Sequence, residues 1–297
     1  MVKKTIPQRI FHVFNVLFMI ALCAVILFPY LNVLAISLND SSKAVPSGLM
    51  LFPRAFTLRN YATMLSKEII WRAALITVGR VIIGTVYAVV VTFCATYGLT
   101  RKGLPFRKTL VMFFFIPTYI SGGLIPLYIL YSGLGLLNNP LVYVLPIGFT
   151  FFNYILLRSY MQTVPDSLEE SAKLDGANDF TIMIRIFYPL CMPVIATIAL
   201  LTIIHHWNDW TTTMFFFSNN KWNTLSYELQ LILNQQTRLN ELVQAAIRAG
   251  DIPRQSPASM ESLKYTQIII CSLPIVMVYP FLQRYFITGM TLGGVKE

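Results

Sequence analysis

Charge-free runs divide the chain. From His12 to Leu38 there is no Lys, Arg, Asp or Glu, and Lys3, Lys4 and Arg9 precede the run. It is too long for the apolar core of a cleaved leader, so an uncleaved helix is expected over 12–38. A second apolar run covers 73–100 and holds Arg80. From Thr109 to Leu157 charge is again absent, over a length that exceeds one span. Ser132-Gly133-Leu134-Gly135 and Asn138-Asn139-Pro140 interrupt that run with turn residues. Two spans, 109–131 and 141–164, joined by a short hairpin are expected. Further spans are expected over 189–217 and 265–286. The pattern predicts an all-α polytopic membrane protein with six transmembrane helices in one domain, residues 1–297.

Composition agrees. Hydrophobic residues make up 56 % and charged residues 12 %. A soluble domain averages about 25 % charged residues, so this chain lacks the charge to cover a water-facing surface. The net charge of +10 would suggest nucleic acid in a soluble protein. In a membrane chain it reads as basic loops beside anionic lipid, with no nucleic-acid partner. Arg101, Lys102, Arg107 and Lys108 crowd one short connection, while residues 131–140 have no basic residue. The positive-inside rule then puts both termini in the cytoplasm.

Catalytic and metal motifs are missing. There is no G-x-x-x-x-G-K-[ST], H-E-x-x-H or G-x-S-x-G. The four cysteines are solitary, and His205 and His206 are adjacent, about 100° apart on a helix. Neither metal nor cofactor is expected on this chain, and it does not read as an enzyme.

One cytoplasmic segment, 166–188, differs from the rest. It holds Asp166, Glu169, Glu170, Asp175 and Asp179 among the chain's 13 acids. Asp166 or Ser167 would cap a helix after Pro165, with Glu169 and Glu170 in its first turn. Leu168, Ala172 and Leu174/Ala177 would share one face. Gly176 would break the helix, Phe180, Ile184 and Phe187 would form a second amphipathic stretch, and Pro189 would end it. Membrane-surface helices are usually basic, so an acid-rich pair points to a protein partner.

Glu170-Ser171-Ala172-x-x-Asp175-Gly176-Ala177, followed by Ile186-Phe187-Tyr188-Pro189, resembles the EAA loop of ABC-importer permeases. Ser171 and Tyr188 depart mildly from the usual Ala and Leu. Thr57-Leu58-Arg59-Asn60-Tyr61, Tyr97-Gly98-Leu99-Thr100-Arg101-Lys102 and the tail from Gln283 to Lys296 resemble elements of maltose-type carbohydrate permeases. Ile116–Tyr119 and Gly123–Tyr128 resemble the subgroup that takes up fragments of polysaccharides.

The resemblance implies a type I ABC importer permease fold in a prokaryotic plasma membrane. It implies a second permease subunit, a cytoplasmic ATPase dimer that uses ATP and Mg, and an extracytoplasmic solute-binding protein. Coupling to the ATPase would fall to Glu170, Ala172, Asp175, Gly176, Ala177, Phe180, Ile184 and Pro189. A sugar path needs aromatic rings and polar rims inside apolar helices. Trp207, Asn208, Asp209 and Trp210 are the best cluster, with Tyr119, Asn153 and Tyr154 behind them. Asp209 could instead cap a helix break, and Arg80 could serve the path or hold a carbonyl or acid. The external segment 218–264 is expected to dock the binding protein, with a short helix carrying Leu239, Leu242, Val243, Ala246 and Ile247. A permease for a non-sugar solute and a secondary transporter remain the alternatives.

Overall fold

The computed structural model describes residues 6–40, 50–101, 103–248, 262–278 and 280. Named helices are all that recur among these; the one β contact is an isolated bridge between Asn39 and Phe56. The chain forms two compact units, residues 1–70 with 229–273, and residues 71–228 with 274–297.

In the first unit, α1 (Ile6–Ser37) is a single long apolar helix. Its first two-thirds are exposed, as at Val25, while Ala35, Ile36 and Ser37 are buried. A helix end leaves carbonyls without partners, and α2 (Arg59–Leu65) supplies a donor. Asn60, itself buried, donates from Nδ2 to Ser37 O at 2.9 Å and to Asn39 O at 2.8 Å. Tyr61 and Ser37 share a hydroxyl hydrogen bond of 2.7 Å. The Asn60-Tyr61 pair is therefore a lock on the end of α1. Helix α13 (Ser262–Val278) adds the Tyr30–Ser272 hydroxyl contact at 2.7 Å.

The second unit takes up most of α3 (Glu68–Thr100), then α4 (Arg107–Phe115), α5 (Leu124–Gly133) and α6 (Phe151–Met161). The acid-rich segment 166–188 forms α7 (Asp166–Leu174) and α8 (Asp179–Ile182). A π-turn over Met183–Phe187 leads into α9 (Tyr188–Leu190), α10 (Met192–Asn208) and α11 (Thr211–Phe216). The first turn of α12 (Leu225–Arg248) closes this unit, and the helix from Leu229 onward belongs to the first. The core of the second unit joins Phe93 and Tyr97 of α3, Leu157 and Met161 of α6, and Ile182, Met183 and Phe187 beside Val194 and Ile198 of α10.

Only α1 from Pro7 and α3 are single helices long and apolar enough to cross a bilayer, among the described residues. Several expected spans are interrupted. The stretch 109–131 tightens to a 3-10 turn at Ile116–Thr118 and breaks over Tyr119–Gly123 between α4 and α5, where Gly123 has φ +83°. The stretch 141–164 is bent by 44° between Pro140–Ile147 and Phe151–Met161, and 189–217 opens between α10 and α11. Apolar periodicity sees none of these breaks, because the residues on both sides remain apolar. Helix α12 starts well before the expected Leu239–Ile247 stretch. Residues 249–261 of the segment expected to be external, the end of the expected span 265–286 and the tail from Gln283 lie outside the described residues.

Candidate functional site

The acid-rich segment 166–188 is built from one stop signal and one start signal. Helix α7 ends in a Schellman closure: Ala177 N donates to Ala172 O at 2.9 Å and Gly176 N to Lys173 O at 3.0 Å. Gly176 has φ +79°, a region that L side chains avoid. A Cβ placed there would meet nothing within 4 Å, so the need for glycine is conformational and not spatial. Asn178 then restarts the helix, its Oδ1 accepting from Thr181 N at 2.8 Å. The spacing Ala172-x-x-Asp175-Gly176-Ala177 thus encodes a fixed angle between two short helices.

The expected coupling residues divide by side. Glu170, Leu174 and Asp175 face solvent, with Leu174 89 % exposed. Ala172 and Ala177 pack inward on the core of the unit. Leu174 therefore does not share their face, as the sequence suggested; the closure turns it outward. Phe180 and Ile184 border an apolar recess of about 580 Å³ beside Val86 and Phe93 of α3 and Ala199 of α10. Pro189 does not end the second stretch. The π-turn just ahead of it accommodates the missing N–H, and the 78° bend follows at Cys191.

Four residues outside the expected set, Tyr97, Arg101, Glu169 and Lys173, hold this segment. Arg101, just past the end of α3, forms an ion pair through Nη1 with Glu169 Oε2. Its guanidinium lies over the rings of Tyr97 at 4.2 Å and Phe187 at 4.7 Å. Lys173 donates to the other Glu169 oxygen at 2.8 Å. Partial burial raises the Glu169 pKa, but the hydrogen bonds and charges of Lys173 and Arg101 outweigh it and hold the carboxyl below its ordinary range. Tyr97 Oη donates to Asp179 O at 3.1 Å. The Tyr97–Arg101 element drew notice in the sequence by resemblance alone, without a role.

A second polar centre lies deeper in the same unit. Arg80 is 4 % exposed; Nη2 pairs with Asp209 Oδ2, and Nη1 donates to Asp209 O at 2.9 Å. Asp209 stands in the break between α10 and α11, and its Oδ1 accepts from Thr212 N at 3.1 Å and Thr211 Oγ1 at 2.7 Å. The Arg80 guanidinium also covers the Tyr143 ring at 4.4 Å. Tyr143 Oη donates to Trp222 O at 2.7 Å, and Thr77 Oγ1 accepts from Leu225 N at 2.9 Å. The first turn of α12 is thereby tied to α3. For each residue the structural alternative gains geometry here: the acid caps a helix break, and the base holds that acid and its carbonyl.

The other expected path residues are spread out. Tyr119 is 77 % exposed, whereas Asn153 and Tyr154 of α6 are buried. Edge and tilted ring contacts run from Tyr119 through Phe115 and Phe151 to Tyr154. Trp207 and Trp210 are half-buried, and Asn208 returns its amide to Ile204 O at 3.0 Å.

The family model described as "Binding-protein-dependent transport system inner membrane component" matches residues 92–292, a stretch that contains Arg101, Glu169 and Asp209 and begins after Arg80. The chain belongs to this family. It is 32 % identical over 290 residues to the polygalacturonan/rhamnogalacturonan transport system permease protein YtcP of Bacillus subtilis (strain 168), covering 97 % of this chain and 99 % of that one. Protein LplC of the same organism is 33 % identical over 294 residues, 99 % of this chain and 97 % of the other. A solved bacterial ABC transporter involved in the import of the acidic polysaccharide alginate superposes with a TM-score of 0.83 at 25 % identity, covering 96 % of this chain and 100 % of that one. The permease is thus an all-α, membrane-embedded transport subunit and not an enzyme, as its sequence indicated.

Proposed function

We propose that this permease is one half of the membrane channel of an ATP-driven, binding-protein-dependent importer of oligosaccharides. ATP and Mg are used by a separate cytoplasmic ATPase dimer, and a second permease subunit completes the channel. Both termini and residues 166–188 lie in the cytoplasm. The observation that carries this reading is the rigid helix pair capped at Gly176, which presents Glu170, Leu174 and Asp175 outward while Ala172 and Ala177 anchor it. The pair docks on the ATPase, and Gly176 sets its angle. Phe180, Ile184 and Pro189 carry the movement onward toward α10.

On the other side, segment 218–264 receives the solute-binding protein. Sugar passes aromatic and polar side chains drawn from Tyr119, Asn153, Tyr154, Trp207, Asn208 and Trp210, with Asp209 shaping the break beside them. Relatives named for polygalacturonan and for alginate support fragments of acidic polysaccharides as cargo. The test is uptake by membrane vesicles holding the full transporter, offered digests of polygalacturonan, alginate and neutral arabinan. Uptake of an acidic digest is expected to exceed that of the neutral one. Leu174→Arg should release the ATPase subunit during purification; its full retention, together with normal uptake, would sink the coupling assignment.

A further inference from the structure

Helix α7 is held in an unusual way. It has nine residues and buries none of them fully. A helix so short is marginal by itself, and the apolar side chains it sets against the core are small: Ala172 on it and Ala177 just beyond. Yet a lever must keep its shape when pushed.

The missing anchor is Arg101. It leaves α3 at the residue after Thr100 and reaches α7 through the Glu169 ion pair. Its flat guanidinium also lies against Tyr97 of α3 and Phe187 of the π-turn, whose rings meet edge-on at 5.4 Å. One side chain thereby touches three elements at once. The Tyr97 hydroxyl adds a fourth, donating to Asp179 O at the start of α8. The two adjacent acids of α7 split their work: Glu169 turns inward to this chain, while Glu170 faces solvent.

We propose that Arg101 is the positioning residue of the coupling segment, fixing α7 and the π-turn to the cytoplasmic end of α3 so that a push on α7 moves α3 with it. This rests on the coupling reading above and adds a route: force enters α3 directly through Arg101, as well as α10 through the covalent chain. Arginine is needed because a lysine ammonium offers the charge without the flat face that lies against two rings.

The experiment uses the complete transporter in nanodiscs, with ATP turnover measured with and without binding protein loaded from a polygalacturonan digest. Arg101→Gln and Glu169→Gln should each lower stimulated turnover about tenfold, the size expected for a lost charge-assisted hydrogen bond. The double variant should be no worse than either single one, because both act through one contact. Arg101→Lys should fall between parent and Arg101→Gln. In the permease reconstituted without the ATPase, a nitroxide at Leu174 should gain mobility in the Gln variants, and the unlabelled Gln variants should keep the ATPase subunit bound in the complete transporter. Stimulation within twofold of the parent in Arg101→Gln, or single effects that multiply in the double variant, would overturn the proposal. Retention of the ATPase separates this failure from failure of the docking reading, which Leu174→Arg tests.

Discussion

Two arginine–carboxylate pairs in this permease share a design and differ in setting. Arg80 with Asp209 and Arg101 with Glu169 each place a guanidinium over an aromatic ring and against one acid. In the first pair the side chains are 1 % and 8 % exposed, in the second 22 % and 18 %. The buried acid is closed in by a helix cap, whereas the partly open acid is shared with Lys173 at the surface. Burial makes a lost partner costly, because the remaining charge has no water to turn to. Partial exposure lets water replace a lost partner and keeps the contact cheap to adjust. The inner pair therefore suits a fixed joint holding the α10–α11 break to α3. The outer pair suits a contact that carries load at a moving face.

The largest expected effect breaks the inner joint. Asp209→Ala leaves Arg80 buried without its acid and removes the cap of α11, so it should destabilise the folded permease by about 3–5 kcal/mol. Thermal unfolding of the detergent-solubilised protein measures it. Arg80→Met with Asp209→Leu, which removes both charges, should recover most of that loss. If the double variant is as unstable as the single one, the pair is not the joint, and the comparison loses its first member.

The next effect concerns the geometry that presents the outer pair. Gly176→Val forces a β-branched side chain into φ +79° and should cost about 1–2 kcal/mol, with Gly176→Asn costing less. Space around the position is open, so the two variants separate conformational strain from crowding. Equal effects of Val and Asn on unfolding temperature and on ATPase retention would show that a left-handed turn is not what the glycine supplies.

How far the sequence disclosed these regions depends on what kind of signal each leaves. Gly176 was readable because an αL closure selects one residue type at one spacing. Charge-free stretches exposed the membrane helices but not their breaks. Tyr119–Gly123 carries no charge to set it apart from its flanks, and the bend at Cys191 comes after Pro189, not at it. Asp209 stood out as an acid in an apolar run, and its two candidate roles were already in view. Its partner Arg80 is 129 positions away, a pairing that no local pattern can report. Glu169 was hidden beside Glu170: both acids suit a first helical turn, and only the fold shows which one turns toward Arg101. Asn60 was seen as part of a recurring element, yet its work, donating to the last carbonyls of α1, needs the chain's return to be known.

The smallest effects distinguish the pairs without any mutation. Pairs open to solvent weaken when salt screens them, and buried pairs much less. A nitroxide at Leu174 should therefore become modestly more mobile as salt rises from 0.1 to about 1 M, where the Debye length falls to about 3 Å. A label on α11 at Met214, which is 45 % exposed, should not change. Acid sharpens the contrast. The Glu169 carboxyl is held below its ordinary value of 4.5 by Lys173 and Arg101, against the upward push of burial. A carboxyl lowered in this way stabilises the fold fully above its ordinary range, and the contribution disappears as pH falls through its own value. Leu174 mobility should then be constant from neutral pH down to that ordinary range and rise only below it. The size is modest, about 1 kcal/mol or less, since solvent reaches the pair. Mobility that already rises between pH 7 and pH 6 would point to a different titrating group and would remove Glu169 from the anchor.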